Sequence, residues 1–308
     1  MAGSSVSWSE RAVRLLRRMN SFYSAGSSRC QCWHFSVGGM EVGLVPPAVL
    51  EQLRRFPEVF SFKEEKRLEL NPGLASYHER SSAMDRVLQR LREEKRFTCL
   101  QGWRDEKYEV MPQFSDPPLM CMERAATSLF GVKRYGVHVN GFTRQPDRQL
   151  AMWVARRSLS KQTYPGLLDN MVPCGCMFVW GIGSQKGIRD TLIKECAEEA
   201  SIPECIASAA RPVGTISYTY EDGEGVFSEC QFVFDLEVPS DFSPHVGDGE
   251  VHQFYLWPVE KVKDALVTEE FKPNCALVVL DFLIRHSYLH PDTEPNYLEL
   301  VVGLHRPL

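Results

Sequence analysis

The chain of 308 residues carries 35 Lys and Arg against 40 Asp and Glu, a net charge of −5, with 44% hydrophobic and 24% charged residues. That length allows two domains, and the acidic balance argues against a general nucleic-acid binder, which carries a basic surplus. No apolar run approaches the roughly 20 residues that span a bilayer, and ten cysteines without a C-x-x-C pair read as buried thiols of a reducing compartment rather than a zinc site.

Residues 1–27 stand apart from the rest of the chain. Arg11, Arg14, Arg17 and Arg18 share one side of a possible helix, and Trp8, Val13, Leu15, Leu16 and Met19 take the other. An Arg- and Ser-rich, acid-poor amphipathic start resembles a mitochondrial transit peptide; the alternative is a disordered basic tail. From residue 28 to 133 the pattern is that of a small α/β unit. Trp33 to Val45 alternates as two strands around Gly38-Gly39, and Pro47 to Phe56 reads as a helix with proline near its start. Met84 to Lys95 places Met84, Val87, Leu88 and Leu91 on one helical face. Phe97 to Val110 reads as strand around the Gly102-Trp103 turn, and Glu123 to Phe130 as a helix stopped by Gly131.

Residues 134–308 are richer in strands. Val137 to Phe142 and Leu150 to Arg157 flank a turn at Gln145-Pro146-Asp147. A helical pattern runs from about Gly187 to Ile202. Gly214 to Tyr220, Cys230 to Glu237 and Val251 to Trp257 read as three further strands, and Val259 to Leu266 and Asn274 to Arg285 as closing helices. There is no P-loop, no G-x-G-x-x-G and no G-x-S-x-G, so kinase, dinucleotide-binding and serine-hydrolase readings lack support.

The Gly187–Ile202 pattern contains Lys194-Glu195-Cys196-Ala197-Glu198-Glu199. At about 100° per residue, Glu195, Glu198 and Glu199 fall within roughly 100° of one another, opposite an apolar side. Three like charges that close repel one another, and a divalent cation relieves the repulsion. The site is oxygen-rich and hard, which suits Mg²⁺ or Mn²⁺; a solvated helix face has the same spacing. Asp190 lies one turn from Lys194 and reads as its ion-pair partner.

The order Lys-Glu-x-x-Glu-Glu resembles the core of the Nudix box. Other blocks are similar to the thiamine-pyrophosphokinase-associated Nudix hydrolases: Trp153-Val154-Ala155-Arg156-Arg157, Lys161 to Gly166, Leu168-Asp169-Asn170-Met171, Phe271 to Ala276 and Asp281 to His286. Leu100 to Tyr108 and Glu123 to Gly131 resemble the N-terminal companion domain of the plant and fungal members, so the resemblance covers about residues 28 to 308. It implies a Nudix α/β/α sandwich preceded by a small α/β companion domain. It also implies Mg²⁺- or Mn²⁺-dependent hydrolysis of a diphosphate linkage in a thiamine-diphosphate-like or nucleoside-diphosphate-like small molecule, giving a monophosphate. A catalytically silent binding module for such a ligand is the alternative.

By the same resemblance Glu195, Glu198 and Glu199 hold metal, Glu198 and Glu199 serve catalysis, and Glu250 is a further ligand or general base. Arg156, Lys161, Gln162 and Asn170 bind substrate, with Arg157 on the other face of its strand. Trp180 or Tyr220 stacks on the organic ring. The chain departs from the general box at Lys186 (for the first glutamate), Lys194 (for arginine) and Ile202 (for the closing glycine). It also inserts about six residues over Pro173 to Trp180, which stand to reshape or block the site.

Overall fold

The computed structural model describes residues 6–174, 187–247 and 249–307. The chain begins with α1 (Trp8–Met19), followed by β1 (Trp33–Val37), β2 (Met40–Val45), α2 (Pro47–Leu53), β3 (Phe60–Lys63), β4 (Arg67–Leu70) and α3 (Tyr77–Glu93). Next come the short hairpin β5 (Lys107–Val110) and β6 (Met120–Glu123), then β7 (Lys133–Arg144), β8 (Leu150–Arg157), β9 (Leu168–Asp169) and β10 (Val172–Cys174). The rest is α4 (Ile188–Ala200), α5 (Glu204–Ala207), β11 (Arg211–Asp222), β12 (Gly225–Glu237), β13 (Val251–Pro258), α6 (Val259–Leu266), α7 (Pro273–Arg285) and α8 (Tyr297–Gly303).

Residues 33–132 build one core. A four-stranded sheet in the order β2-β1-β4-β3 is covered by α2 and α3, with Phe35, Leu53, Phe60, Leu88 and Phe130 at its centre. Helix α3 starts at Tyr77, seven residues before the expected Met84. The cause is a capping box: the Ser76 hydroxyl accepts the Glu79 N–H at 3.2 Å, and the Glu79 carboxylate accepts the Ser76 N–H at 2.9 Å. Two expectations fail nearby. The strand expected over 97–110 begins only at Lys107, because Thr98–Gly102 winds into a 3₁₀ turn that buries Leu100 and Asp105 takes φ 57°. The helix expected from Glu123 is a 3₁₀ segment, Arg124–Leu129.

The second core surrounds a seven-stranded sheet whose main path is β11-β12-β7-β8-β13, with β10 on β7 and β9 on β8. Alternation along each strand supplies two apolar faces. One face, with Met152, Val154, Ile216 and Val233, lies under α1, α6, α7 and α8; the other, with Val137, Val139, Phe234 and Leu236, lies under α4 and α5. Helices on both faces make an α/β/α sandwich.

For residues 1–27, expected to be a targeting or disordered segment, the structure corrects the disordered reading over residues 8–19. Helix α1 is ordered, and its Ala12, Val13, Leu16 and Met19 are buried in the same core as α7 and α8. Asn20 donates to the Gly303 carbonyl at 2.9 Å, and Arg17 pairs with Glu299 at 2.7 Å. The amphipathic stripe is thus a core-facing stripe. Leu16→Ala is expected to lower unfolding free energy by about 2–4 kcal/mol in urea titrations. The exposed Arg14→Ala should change it by less than about 0.5 kcal/mol. Near-zero effects at both positions would show that α1 does not dock.

Candidate active site

Helix α4 is anchored by Leu192, Cys196 and Ala200, which pack with Val137, Val139 and Met171 beneath them. Asp190 accepts the Gly187 N–H at 3.2 Å and so closes the helix start. The expected Asp190–Lys194 pair is replaced: the Lys194 ammonium lies 3.0 Å from Glu198 and 3.8 Å from Glu195. The helix ends at Ser201, the residue in the left-handed region (φ 52°), and Ile202 after it is fully buried. The closing-glycine position of the signature therefore falls on Ser201 rather than on Ile202, which fills the apolar position after it.

The remaining face of α4 turns Glu195, Glu198 and Glu199 into one cleft of about 1090 Å³. The three carboxylates sit at graded depth: Glu199 is 3% exposed, while the Glu195 and Glu198 side chains are 20% and 48% exposed. Burial, reinforced by Glu199 and Glu195, pushes the Cys196 thiol up to about 12, so it stays protonated behind the acids.

Glu250 lines the same cleft. The loop before it is tied to the end of α4: His245 N–H donates to the Ala200 carbonyl at 3.1 Å and Gly247 N–H to the Glu199 carbonyl at 3.3 Å. A Cβ on Gly247 would lie 1.8 Å from the Glu198 carbonyl oxygen, so only glycine permits this approach. Ser158 N–H donates to the Glu250 carbonyl at 2.9 Å, and Lys161 Nζ lies 2.5 Å from Glu250 Oε2. Four carboxylates from two segments thus line one cleft, and their hard-oxygen chemistry is of the kind that suits Mg²⁺ or Mn²⁺.

Among the other expected binding residues, Lys161 and Gln162 line the cleft, as does Tyr220. Arg156 and Asn170 do not, and the expected strand parity is reversed. Arg156 donates to the Gly166 carbonyl at 2.8 Å and lies against Tyr255, away from the cleft. Arg157 lines it instead. Asn170 is buried behind the wall, its Oδ1 2.8 Å from His138 Nδ1 and its amide donating to Asn140 at 3.2 Å. Residues 175–186, with most of the inserted stretch, Trp180 and Lys186, lie outside the described residues.

Sequence reasoning missed the cationic floor. Asp169 is fully buried and holds Arg157 at 2.9 Å and Lys272 at 3.5 Å, both of which line the cleft. Burial pushes Asp169 up, but Lys272 and Arg157 outweigh it and hold the carboxylate below its usual range. His138, Asp169 and Cys275 bring potential ligand atoms within 4.8 Å of one another. With two cations already on Asp169, that cluster reads as a buried polar network. Arg134 pairs with Glu229, which also accepts from the Tyr218 hydroxyl at 2.6 Å. Eight cationic side chains and seven glutamates line the cleft among the described residues, a balance suited to phosphate and metal together. The spacing of these cations along the chain carries no local signal.

Residues 11–134 match a family described as a domain of unknown function, DUF4743. The chain is 38% identical over 268 residues to Nudix hydrolase 20, chloroplastic, of Arabidopsis thaliana, covering 84% of this chain and 69% of that one. It is 35% identical over 288 residues to an uncharacterised protein of Saccharomyces cerevisiae, covering 88% and 82%. The structure of a Shewanella oneidensis NrtR Nudix domain complexed with ADP ribose aligns at TM-score 0.39 and 16% identity, over 52% of this chain and 91% of that one. The chain belongs to the Nudix hydrolase family. It is a Nudix-type hydrolase.

Proposed function

We propose that the substrate is a thiamine-diphosphate-like or nucleoside-diphosphate-like small molecule, and that its hydrolysis to a monophosphate depends on Mg²⁺ or Mn²⁺. The observation that carries this reading is that Glu195, Glu198, Glu199 and Glu250 line the same cleft as Arg157, Lys161 and Lys272. Glu195, Glu198 and Glu199 would hold the metal, which when bound supplies charge neutralisation and a more acidic water. Arg157, Lys161 and Lys272 orient the phosphate oxygens, with Asp169 keeping two of these cations aimed. Glu250 accepts the proton of the attacking water, and Lys161 beside it steadies the carboxylate.

The thiamine-associated branch is supported by the sequence blocks, and Trp103 and Tyr220 are among the aromatics that line the cleft. The test is phosphate release from thiamine diphosphate, oxidised thiamine diphosphates and ADP, and AMP formation from ADP-ribose, with Mg²⁺, with Mn²⁺ and with EDTA. Preferred turnover of one thiamine-type diphosphate, lost in EDTA, is expected. A rate indifferent to EDTA, or a preference confined to nucleoside diphosphates, would remove the metal dependence or the thiamine assignment, respectively.

A further inference from the structure

The residues read as the diphosphate site line only part of the cleft; another part of its lining comes from the other core. Gly102, Trp103, Arg104, Glu106, Arg124 and Ser128 all line it. The volume of about 1090 Å³ lies just above the roughly 300–1,000 Å³ range of pockets that hold drug-sized ligands. A diphosphate alone leaves most of that space unfilled.

This second wall is held in place by close approach. A Cβ on Gly225, at the start of β12, would lie 2.3 Å from the Ser128 carbonyl oxygen, and the Ser128 hydroxyl donates to the Glu224 carbonyl at 2.9 Å. The Tyr108 hydroxyl donates to the Lys133 carbonyl at 3.1 Å and accepts the Tyr135 N–H at 3.0 Å. At the mouth, a Cβ built on Gly102 falls 3.6 Å from Gln162 Oε1, so the two sides meet there.

The wall is also ordered from within. Glu123 is fully buried, and its Oε1 accepts the N–H groups of Arg104 at 3.0 Å and Ala125 at 3.2 Å. Its Oε2 has no hydrogen-bond partner among the described residues, so Oε1 alone ties Arg104 and Ala125 together. The Arg124 guanidinium pairs with Glu106. The Trp103 indole N–H donates to Asp105 at 2.7 Å, and the Arg92 guanidinium lies 4.9 Å from its ring centroid. An indole flanked by guanidinium and carboxylate groups suits a planar heteroaromatic ring with polar substituents better than an aliphatic chain.

We propose that the companion domain is the specificity wall: it receives the planar heteroaromatic moiety of the substrate against Trp103 and Arg124, while the diphosphate lies at α4. This rests on reading the cleft as the diphosphate site. The test measures binding to the full chain by calorimetry in Mg²⁺. Two probes carry a ring, α,β-methylene-ADP and the methylene analogue of thiamine diphosphate; methylenediphosphonate carries none. Trp103→Ala and Arg124→Ala are each expected to weaken the tighter ring-bearing probe by about tenfold and to leave methylenediphosphonate within about twofold. Trp103→Phe, which keeps a ring, should stay within about threefold and guards against a folding defect.

The proposal is overturned if neither ring probe binds wild type more tightly than methylenediphosphonate, if all probes weaken alike, or if none weakens. Glu198→Gln should weaken every probe. A wild type that binds the probes as expected but hydrolyses no diphosphate would sink the substrate reading and leave the wall standing.

Discussion

Glu199→Gln and Glu198→Gln each reduce kcat by at least about 10²–10³-fold while leaving cooperative unfolding intact. Both changes keep shape and remove charge. Glu199 sits deepest, so its carboxylate is the least screened of the three and its charge should matter most to a cation in the cleft. Glu198 is half exposed and shares Lys194 with Glu195, so its charge is already screened by water and by that ammonium. Raising Mg²⁺ should recover part of the Glu198→Gln rate and little of the Glu199→Gln rate. Steady-state phosphate release over a Mg²⁺ series, with urea midpoints alongside, gives both numbers. Full activity in either variant would mean that α4 carries surface charge and the hydrolytic site lies elsewhere.

The stability of the fold should fall by about 2 kcal/mol between pH 7 and pH 5 on account of His138 alone. Burial first, and then the nearby Lys272, press its pKa down to about 4 against the pull of Asp169 and Asn170. The unfolded chain takes up that proton near pH 6.5 and the folded chain only near pH 4. Within that window the unfolded state binds more protons, so stability drops as pH falls, by about 3 kcal/mol in total, and the effect levels off below pH 4. Asp169 and Glu229 act in a lower window. Burial raises both, but Lys272 with Arg157 and Arg134 with Tyr218 respectively outweigh it and hold them below the usual carboxylate range. Their contribution is present above their unfolded pKa values and is lost as pH falls through the folded ones. Urea unfolding at pH 7 and pH 5 should show a clearly smaller difference in His138→Gln than in wild type. Equal differences would mean that the His138 ring is already protonated, or open to solvent, in the native state.

Much of the fold was legible from local pattern. The hairpin at Gly38-Gly39, the β7–β8 pair, β13 and α6 follow from alternation, turn residues and helical spacing, all of which act within a few residues. The acidic face of α4 was legible for the same reason, as was Glu250 as the acid before β13. Arg156 and Arg157 show where that legibility stops. Strand alternation states that the two point oppositely, but the cleft side is decided by what covers each face, and β13 pairs there with a register shift between Val251 and Gln253. Asn170 was misplaced on similar grounds: a polar loop residue looks exposed until His138 and Asn140 are found to satisfy it inside.

The chain's own periodicities determined that there is an α/β protein here with three carboxylates on one helix face, because covalent spacing sets which side chains share a face. Only the tertiary structure decided that α1 belongs to the core of α7 and α8, and that Arg157, Lys272 and Arg134, together with Trp103 and Arg124 from the other core, line the same cleft as the acids. Those juxtapositions join segments far apart in the chain, and they arise from burial of shared apolar surface, a non-directional force that leaves no local mark at either partner.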